Sequence, residues 1–386
     1  MADFTMPALG ADMQTGKVVQ WLVKPGEHVH RGDVVAVVET HKGAIDVEIF
    51  LDGVIDELAP LDAELPVGAV LARVRVAGEA APQRRWRPRP LRSSPQQRRH
   101  RARRRNRIIA VAPARGAPAR TSKLGVDLAT LTGSGIGGAL TLADVERAAA
   151  GTAPAAAAPP PARGFDAAQM RIAIAAAMAR SKREIPHYYL SEAITMRRAL
   201  DWLQARNAAA PVTQRLLPAV LLIKAVALAL RGSPQLNGHW VDGGFRPSAP
   251  VHVGVAVSLR GGGLVAPAIH DVQAKPLAAL MAELADLVQR ARSGRIRSSE
   301  ITDPTITVSN LGDQGVDAVF GVIYPPQVAL VGFGRIAERP GVADGLVCAL
   351  PMVTASLAAD HRASDGHAGA RFLGALAEQL QQPEAL

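Results

Sequence analysis

Residues 1–78 alternate short apolar runs with turn residues, the pattern of a small all-β domain. Five runs rich in β-branched residues are separated by turns such as PGE and RGD; they read VVQWLV, DVVAVVE, AIDVEIF, GVIDEL and VLARVRV. The runs also repeat after a shift of 36 residues, in which Val18, Val19, Leu22, Val29, Gly32, Val34 and Val38 fall on Val54, Ile55, Leu58, Leu65, Gly68, Val70 and Val74. The repeat predicts two similar β-halves packed as one sandwich or flattened barrel.

The chain from residue 164 to residue 386 alternates predicted helices with predicted strands, as is typical of an α/β domain. Helical patterns lie at Ala167–Ser181, Leu216–Leu230, Leu277–Ala291 and Gly366–Gln381. Strand patterns lie at Val251–Leu259, Thr305–Ser309, Val328–Phe333 and Val353–Ala358. The longest apolar run, 216–230, contains Lys224 and is too short to cross a bilayer comfortably, so it predicts a buried helix. This part of the chain is large enough for an enzyme core.

The composition changes between these two parts. Residues 79–107 are rich in arginine and proline, and residues 81–107 hold twelve arginines and no acid. Because the whole chain carries a formal charge of +10, the net charge of all residues outside 81–107 is about −2. The basic segment cannot bury enough apolar surface to fold alone, so it predicts a disordered linker. Residues 151–163, an Ala/Pro run, predict a second, semi-rigid linker.

Two other interpretations of the arginine run stay open. It could be a basic arm for nucleic acid or acidic surfaces, but one aromatic residue, Trp86, accompanies the arginines and no nucleic-acid fold is recognisable beside them. This argues against nucleic acid as a partner. Alternatively, residues 81–122 could be a frame-shifted stretch of a GC-rich gene, replacing an Ala/Pro linker.

The single cysteine, Cys348, excludes an intrachain disulfide and a thiolate metal cluster, and it fits a reducing cytosol. The N-terminal sequence MADFTMPALGADM has an acid where a signal peptide needs a basic and then an apolar start. We therefore predict a soluble, cytoplasmic protein that does not enter a membrane.

Lys42 lies in ETHKGAIDVE, between two predicted strands. A lysine at such a turn is most often a solvated charge. However, the stretch resembles, with PALGADMQTGKVVQWLVKPGEHVHRGD and the rest of residues 4–76, the lipoyl domain of 2-oxo acid dehydrogenase complexes. The resemblance implies that lipoate is attached covalently to Lys42 at the tip of a β-turn, although His41 stands where an acid is usual. A biotin carrier is the close alternative, but it would flank its lysine with methionines, which are absent here.

Residues 108–150 resemble the peripheral subunit-binding domain of the same complexes. The resemblance rests on LGVDL, GSGIGG and LTLADVE, in that order, between a lipoyl-like and an acyltransferase-like part. Taken alone, the glycines could equally form a flexible connector. Pro118 stands where the first helix of that small α domain is expected.

The stretch ADHRASDGHAGARFL, residues 359–373, resembles the HxxxDG motif of dihydrolipoamide acyltransferase catalytic domains and of chloramphenicol acetyltransferase. His361, Asp365 and Gly366 are the matching residues. The resemblance implies that His361 takes the proton of a thiol, and a neutral imidazole is a suitable base near neutral pH. Asp365 is expected to hold the loop or orient its neighbours rather than to transfer protons.

The stretch TVSNLGDQGV, from residue 307, resembles the part of the same family that supplies a serine hydroxyl to an oxyanion, and Ser309 is the matching residue. A serine after a strand is otherwise more often a cap or a turn residue. By the same resemblance, the catalytic domain forms trimers with the active site at a subunit interface, where Ser309 comes from the neighbour of the chain that gives His361. Larger cubic or dodecahedral cores built from the trimers are expected.

These resemblances imply the dihydrolipoamide acyltransferase component of a 2-oxo acid dehydrogenase complex. The expected fold is multidomain, with an all-β lipoyl domain, a small α subunit-binding domain and a chloramphenicol-acetyltransferase-like α/β catalytic domain (164–386). The implied reaction moves an acyl group, preferably acetyl, between S-acyl-dihydrolipoyl-lysine and coenzyme A. Branched-chain acyl or succinyl transfer, and a lipoylated carrier without activity, are the alternatives; a free-standing acetyltransferase would not need Lys42.

The implied partners are a 2-oxo acid decarboxylase/dehydrogenase component and dihydrolipoamide dehydrogenase. No metal is expected, because the remaining histidines show no ligand spacing and are interpreted as structural; they include His187, His239, His252 and His270.

Overall fold

The computed structural model describes residues 1–9, 13–40, 43–76, 167–259, 263–343 and 345–386 of the chain. Several predictions lie outside these residues. They are the attachment lysine Lys42 with its neighbour His41, both predicted linkers, and the predicted subunit-binding domain at 108–150. The domain boundaries at these segments therefore stay predictions.

The N-terminal domain consists of eight strands. Their bounds are β1 Ala2–Thr5, β2 Thr15–Trp21, β3 His28–Val29, β4 Val34–Thr40, β5 Gly43–Glu48, β6 Gly53–Leu58, β7 Glu64–Pro66 and β8 Val70–Val76. One sheet has the order β1-β8-β6-β3, and the other contains β5-β4-β2-β7, with every pair antiparallel. Inward-facing residues of both sheets form one core, in which Phe4, Val38 and Val74 are fully buried. The prediction of a flattened all-β domain is confirmed.

The 36-residue repeat is also confirmed. The same shift carries β2, β3 and β4 onto β6, β7 and β8. The short strand of each half pairs with a strand of the other half: β3 pairs with β6, and β7 pairs with β2. The turns repeat with the strands, because Gly26 and Asp62 are both left-handed, as are Gly32 and Gly68. Glycine adopts this conformation without the penalty that a Cβ brings, so the turn chemistry keeps the two halves in register.

The C-terminal part contains six helices among its described residues. They are α1 Ala167–Glu184, α2 Arg197–Ala208, α3 Pro218–Ala229, α4 Leu277–Arg292, α5 Ser298–Thr302 and α6 Gly366–Leu380. The strands are β9 His187–Thr195, β10 Gly238–Val241, β11 Gly244–Pro247, β12 Val253–Val255, β13 Val257–Ser258, β14 Leu264–Val265, β15 Ala268–Ile269, β16 Ile296–Arg297, β17 Ile306–Asn310, β18 Ala329–Phe333, β19 Ala337–Ala343 and β20 Leu346–Asp360.

A mixed sheet with the order β15-β12-β17-β18-β20-β19 organises this part, and β9 pairs with the second half of β20. The pairs β12–β17 and β17–β18 are parallel, and the others are antiparallel. The predicted α/β domain is therefore confirmed, and its four predicted helices are present as α1, α3, α4 and α6. The predicted strand 251–259 is wrong as a single element, because it divides at Ala256 into β12, which pairs with β15 and β17, and β13, which pairs with β14.

Helix α3 is the buried helix that its apolar run predicts. Nine of its twelve residues are buried, including Lys224, whose ammonium donates to the carbonyls of Val272, Gln273 and Lys275. These three acceptors use all of its donors, and burial lowers the pKa of Lys224. Among the described residues, Val212–Gly232 is the one stretch with the length and hydropathy to cross a membrane, and it contains this core helix.

Candidate active site

His361 is the first residue after β20, at the point where the central sheet ends. Asp360, the last residue of β20, pairs with His187 on β9, and the N–H of His361 donates to the carbonyl of Pro186 at 3.0 Å. The N–H groups of Ala363 and Ser364 both donate to the carbonyl of Asp360, so the chain turns sharply here. The turn leaves the side chain of His361 exposed at the end of a rigid strand.

An ion pair between a buried aspartate and a partly exposed arginine holds the residues on both sides of His361. The side chain of Asp360 is 0% exposed, and the guanidinium of Arg362 donates to it through Nε at 3.0 Å and Nη2 at 2.7 Å. Arg362 also lies over the ring of Trp240, with 4.5 Å between the guanidinium carbon and the ring centre. A bidentate pair of this kind fixes orientation as well as charge, so it positions the backbone of His361. The sequence analysis missed this pair, although an acid and a base flank the histidine in ADHR.

One face of the His361 imidazole is supported by Tyr188 on β9. The two rings meet edge to face, with 5.4 Å between their centres. The Tyr188 hydroxyl is hydrogen-bonded to the Ser364 hydroxyl at 2.9 Å, and burial raises the pKa of Tyr188, so the phenol stays neutral. Tyr188 therefore restricts the imidazole without placing a charge beside it.

Asp365 caps helix α6. Its carboxylate accepts a hydrogen bond from the N–H of Ala368 at 2.9 Å, and this bond lowers the pKa of Asp365. An aspartate in the N-cap position satisfies a backbone donor that has no partner in the helix. The observed contact is structural, and any part of Asp365 in a reaction stays a prediction.

Ser309 lies in β17, far from His361 of the same chain. The strand register aligns Ser309 with Gly332 on β18 and then with Ser356 on β20, whereas His361 lies five residues beyond Ser356. Five residues of strand span about 17 Å and two strand spacings about 10 Å, so the Cα atoms of the two residues are about 20 Å apart. The structure therefore does not bring Ser309 and His361 together within one chain.

Lys42 lies outside the described residues, but the strands on either side of it are described. Strands β4 and β5 are antiparallel, and their last pair is Thr40 with Gly43. The two strands thus form a hairpin ladder up to the residues that flank His41 and Lys42 in sequence. Such a frame fits the attachment of a prosthetic group to a lysine between the two strands.

The family model for the catalytic domain of 2-oxoacid dehydrogenases acyltransferase matches residues 161–386, more than half of the chain. The chain belongs to the 2-oxoacid dehydrogenase acyltransferase family. A second family model, described as biotin-requiring enzyme, matches residues 2–74. The attachment-type domain and the acyltransferase domain are thus both recognised in this family member.

Similar proteins cover nearly the whole chain. The dihydrolipoyllysine-residue acetyltransferase component of the pyruvate dehydrogenase complex from Rhizobium meliloti (strain 1021) is 30% identical over 460 residues, covering 99% of this chain and 98% of that protein. The lipoamide acyltransferase component of the branched-chain alpha-keto acid dehydrogenase complex from Bacillus subtilis (strain 168) is 28% identical over 419 residues, covering 98% of this chain and 96% of that protein.

Solved structures resemble the catalytic part of this acyltransferase family member. The dihydrolipoamide acetyltransferase of Azotobacter vinelandii has a TM-score of 0.53 and 29% identity, covering 56% of this chain and 90% of that chain. The cubic core of the pyruvate dehydrogenase multienzyme complex has a TM-score of 0.53 and 30% identity, with the same coverage.

Two other histidines of the acyltransferase domain, His187 and His270, have the contacts of structural residues. His187 bridges two backbone segments, because its Nδ1 donates to the carbonyl of Ile185 and its Nε2 accepts from the N–H of Ile323. Burial lowers the pKa of His187. His270 is hydrogen-bonded to Asp303 at 3.0 Å, and this bond raises its pKa. In the described part of the chain, no group of three His, Cys, Asp or Glu side chains is placed to hold a metal ion.

A mostly apolar cavity of about 320 Å³ lies away from His361 and is lined mainly by residues of this domain, with Ala8 of the N-terminal domain. Its lining includes Met170, Ile174, Met178, Tyr324 and Pro326, but neither His361 nor Ser309. Since the acid–base and donor groups lie outside it, we do not place the chemistry in this cavity.

Proposed function

We propose that the chain transfers an acyl group between a dihydrolipoyl-lysine and coenzyme A. The observation that carries this proposal is a shared spacing of three residues. Crystallographic and enzymatic work on the Azotobacter vinelandii enzyme concerns a serine, a histidine and an asparagine in its catalytic mechanism. That serine precedes the histidine by 52 positions and the asparagine follows it by four; Ser309, His361 and Asp365 have the same intervals.

His361 acts as the base in the proposed reaction. Its neutral imidazole accepts the proton of the coenzyme A thiol, and the thiolate forms a C–S bond with the carbonyl carbon of the thioester substrate. The bond from that carbon to the dihydrolipoyl sulfur then breaks, and the imidazolium returns the proton to this sulfur. The fixed backbone around His361, between Asp360 and Arg362, keeps the ring in place for both proton transfers.

Ser309 supplies the hydrogen bond to the oxygen that becomes negative during the transfer. A donor already in place contributes about 10²- to 10³-fold to such reactions. Because Ser309 lies about 20 Å from His361 of its own chain, it completes the site of a neighbouring chain. This fits the expected trimers, and the similar cubic core of the pyruvate dehydrogenase multienzyme complex supports a larger assembly of them.

Lipoate attached to Lys42 supplies a thiol pair that carries the acyl group. The hairpin formed by β4 and β5 holds the attachment position, and the linkers connect this arm to the catalytic domain. We infer that a 2-oxo acid decarboxylase/dehydrogenase component loads the arm and that dihydrolipoamide dehydrogenase reoxidises it. A cytoplasmic location is part of this proposal.

Acetyl is the proposed acyl group, because the similar proteins include several pyruvate dehydrogenase components. The branched-chain relative keeps branched-chain acyl transfer as the second candidate. Succinyl transfer and an inactive lipoylated carrier are the remaining alternatives.

Transfer from acetyl-, isobutyryl- and succinyl-coenzyme A to free dihydrolipoamide tests this proposal. We expect the highest kcat/KM with acetyl-coenzyme A, by about tenfold or more, which is the discrimination that a few methyl groups provide in a fitted pocket. A preference for isobutyryl or succinyl would reassign the acyl group. No transfer from any of the three would contradict the enzymatic function and favour the carrier.

A further inference from the structure

One edge of a sheet in the attachment domain is covered by a strand of the catalytic domain. Strand β5 forms this edge, and β16 pairs with it in parallel, with Ile45 opposite Ile296 and Asp46 opposite Arg297. An open edge presents unpaired backbone donors and acceptors, and an added strand satisfies them. The residues of β5 follow Lys42 directly in sequence, so the covered edge belongs to the hairpin that carries the attachment position.

Side chains of Glu48 and α5 extend this contact beyond the two paired residues. The N–H of Glu48 donates to the Ser298 hydroxyl at 3.1 Å. The Glu48 carboxylate in turn accepts from the N–H of Ser299 at 3.3 Å and from the Ser299 hydroxyl. One residue of the attachment domain thus engages two neighbouring residues of the catalytic domain through backbone and side chain.

The charges on the two surfaces are complementary. The attachment domain presents Asp46 beside Glu48, and the catalytic domain presents Arg290, Arg295 and Arg297 toward Asp46. Burial raises the pKa of Asp46, and the three arginines oppose this rise. Arg290 is itself fixed by two hydrogen bonds to Glu300, at 2.7 and 2.5 Å. Arg290 is thus fixed in place, but Glu300 and Asp286 of its own domain offset part of its charge, and Glu300 acts against the arginines at Asp46.

Apolar packing adds to the contact. Ile45 is 2% exposed and Ile296 is 3% exposed, so the paired strands exclude water. Ile301 of α5 packs against the core of the attachment domain, and Ile301 and Ala8 both line the apolar cavity described above. The contact thus combines a strand pair, specific hydrogen bonds, opposite charges and apolar burial.

We propose that β16 and α5, with the three arginines, form a docking surface for the lipoyl domain of the same chain, and that docking shields its lysine hairpin from other proteins that bind the β5 edge. That the docked domain carries lipoate rests on the proposed function, whereas its contact with β16 and α5 does not. The 90 residues between β8 and α1 allow a lipoyl domain to reach its own catalytic domain. The lipoyl domain of a neighbouring chain is the competing occupant.

Hydrogen–deuterium exchange of the full chain tests the docking surface. Ser299→Asp places a negative charge against Glu48 while leaving the lipoyl domain unchanged. We expect the β5 amides that face the catalytic domain, including that of Glu48, to exchange about tenfold faster in this variant than in the parent. Glu48→Ala is expected to have the same effect from the other side of the contact, and Thr213→Asp, at an exposed position in residues 212–214, is the matched control.

Equal exchange of residues 44–48 in the parent, Ser299→Asp and Glu48→Ala would overturn the proposal. Transfer to free dihydrolipoamide is measured on the same samples and is expected to be unchanged, since the small substrate needs no docking. Equal exchange in all three proteins with intact transfer would mean that this proposal alone fails. Faster exchange in the two variants with no transfer by any of the proteins would mean that the proposed function alone fails.

Mixed assemblies identify the occupant. Isotope-labelled Ser299→Asp chains are assembled with unlabelled parent chains, and exchange is read separately for the two kinds of β5 peptide. Docking within one chain predicts fast exchange in the labelled peptides alone. Fast exchange shared between labelled and unlabelled peptides would overturn docking in the same chain and assign the surface to a neighbour's lipoyl domain.

Discussion

Replacing His361 with alanine is expected to lower kcat for transfer from acetyl-coenzyme A to dihydrolipoamide by about 10²- to 10⁴-fold, the usual contribution of a positioned base. The Asp360–Arg362 pair fixes the backbone on both sides of His361, and the imidazole contacts the ring of Tyr188, so the variant loses a positioned base. Because His361 is exposed and its backbone contacts do not use the ring, the variant keeps its fold. Steady-state kinetics with both substrates saturating measure the effect.

His367→Ala is the matched control for this variant. His367 is also exposed and lies in the first turn of α6, six residues beyond His361, but it has no role in the proposed transfer. The kcat of His367→Ala is expected to stay within about twofold of the parent, because substitution of an exposed side chain outside the reacting groups changes little. Equal kcat values for the parent and His361→Ala would remove His361 from the mechanism.

Replacing Lys42 with arginine is expected to abolish both the covalent adduct and the overall activity of the reconstituted complex. Arginine keeps the positive charge but lacks the amine that forms the amide with lipoate. Transfer to free dihydrolipoamide is expected to be unchanged, because the catalytic domain is intact. Intact-mass analysis after expression in a lipoylating host, with both activities, measures these effects.

Lys24→Arg is the control for the attachment site, since Lys24 is an exposed lysine at a turn of the same domain. It is expected to retain the full lipoyl adduct. An unmodified parent in that host, or an adduct that persists in Lys42→Arg, would contradict lipoylation of Lys42.

The repeat in the N-terminal domain could be predicted from the sequence because its signals are local. Alternating apolar residues and the left-handed positions Gly32 and Gly68 recur at the same interval, and both decide structure without distant contacts. The pairing of β5 with β16 could not be predicted, since it joins residues 251 positions apart through backbone groups that every sequence carries.

Helix α2 and strand β9 were missed for a physical reason. Only Ala199 and Leu203 of α2 are buried, and β9 has one buried residue, Ile194, so neither element shows a strong apolar period. Strand β20 was predicted over less than half its length, because its first half pairs with β19 and leaves Leu346 and Val347 exposed. A hydrophobic pattern reveals an element that buries a whole face. Helix α2, strand β9 and the first half of β20 bury too few residues to show such a pattern.

The candidates His361 and Ser309 were predicted from separate motifs, and the sequence could not show the distance between them. The strand register supplies it, because Ser309 and His361 lie at different levels of the same sheet. The Asp360–Arg362 pair was missed because charged residues beside a histidine are usually solvated, whereas here the carboxylate is fully buried.

Complementation between His361→Ala and Ser309→Ala tests the central claim most directly. Each variant alone is expected to be impaired, and random reassembly of the two as trimers pairs an intact His361 with an intact Ser309 from the neighbour in about a quarter of the sites. The account predicts recovery to about a quarter of the parent rate in the mixed assembly. A mixed assembly no more active than the average of the two variants would contradict an active site shared between chains.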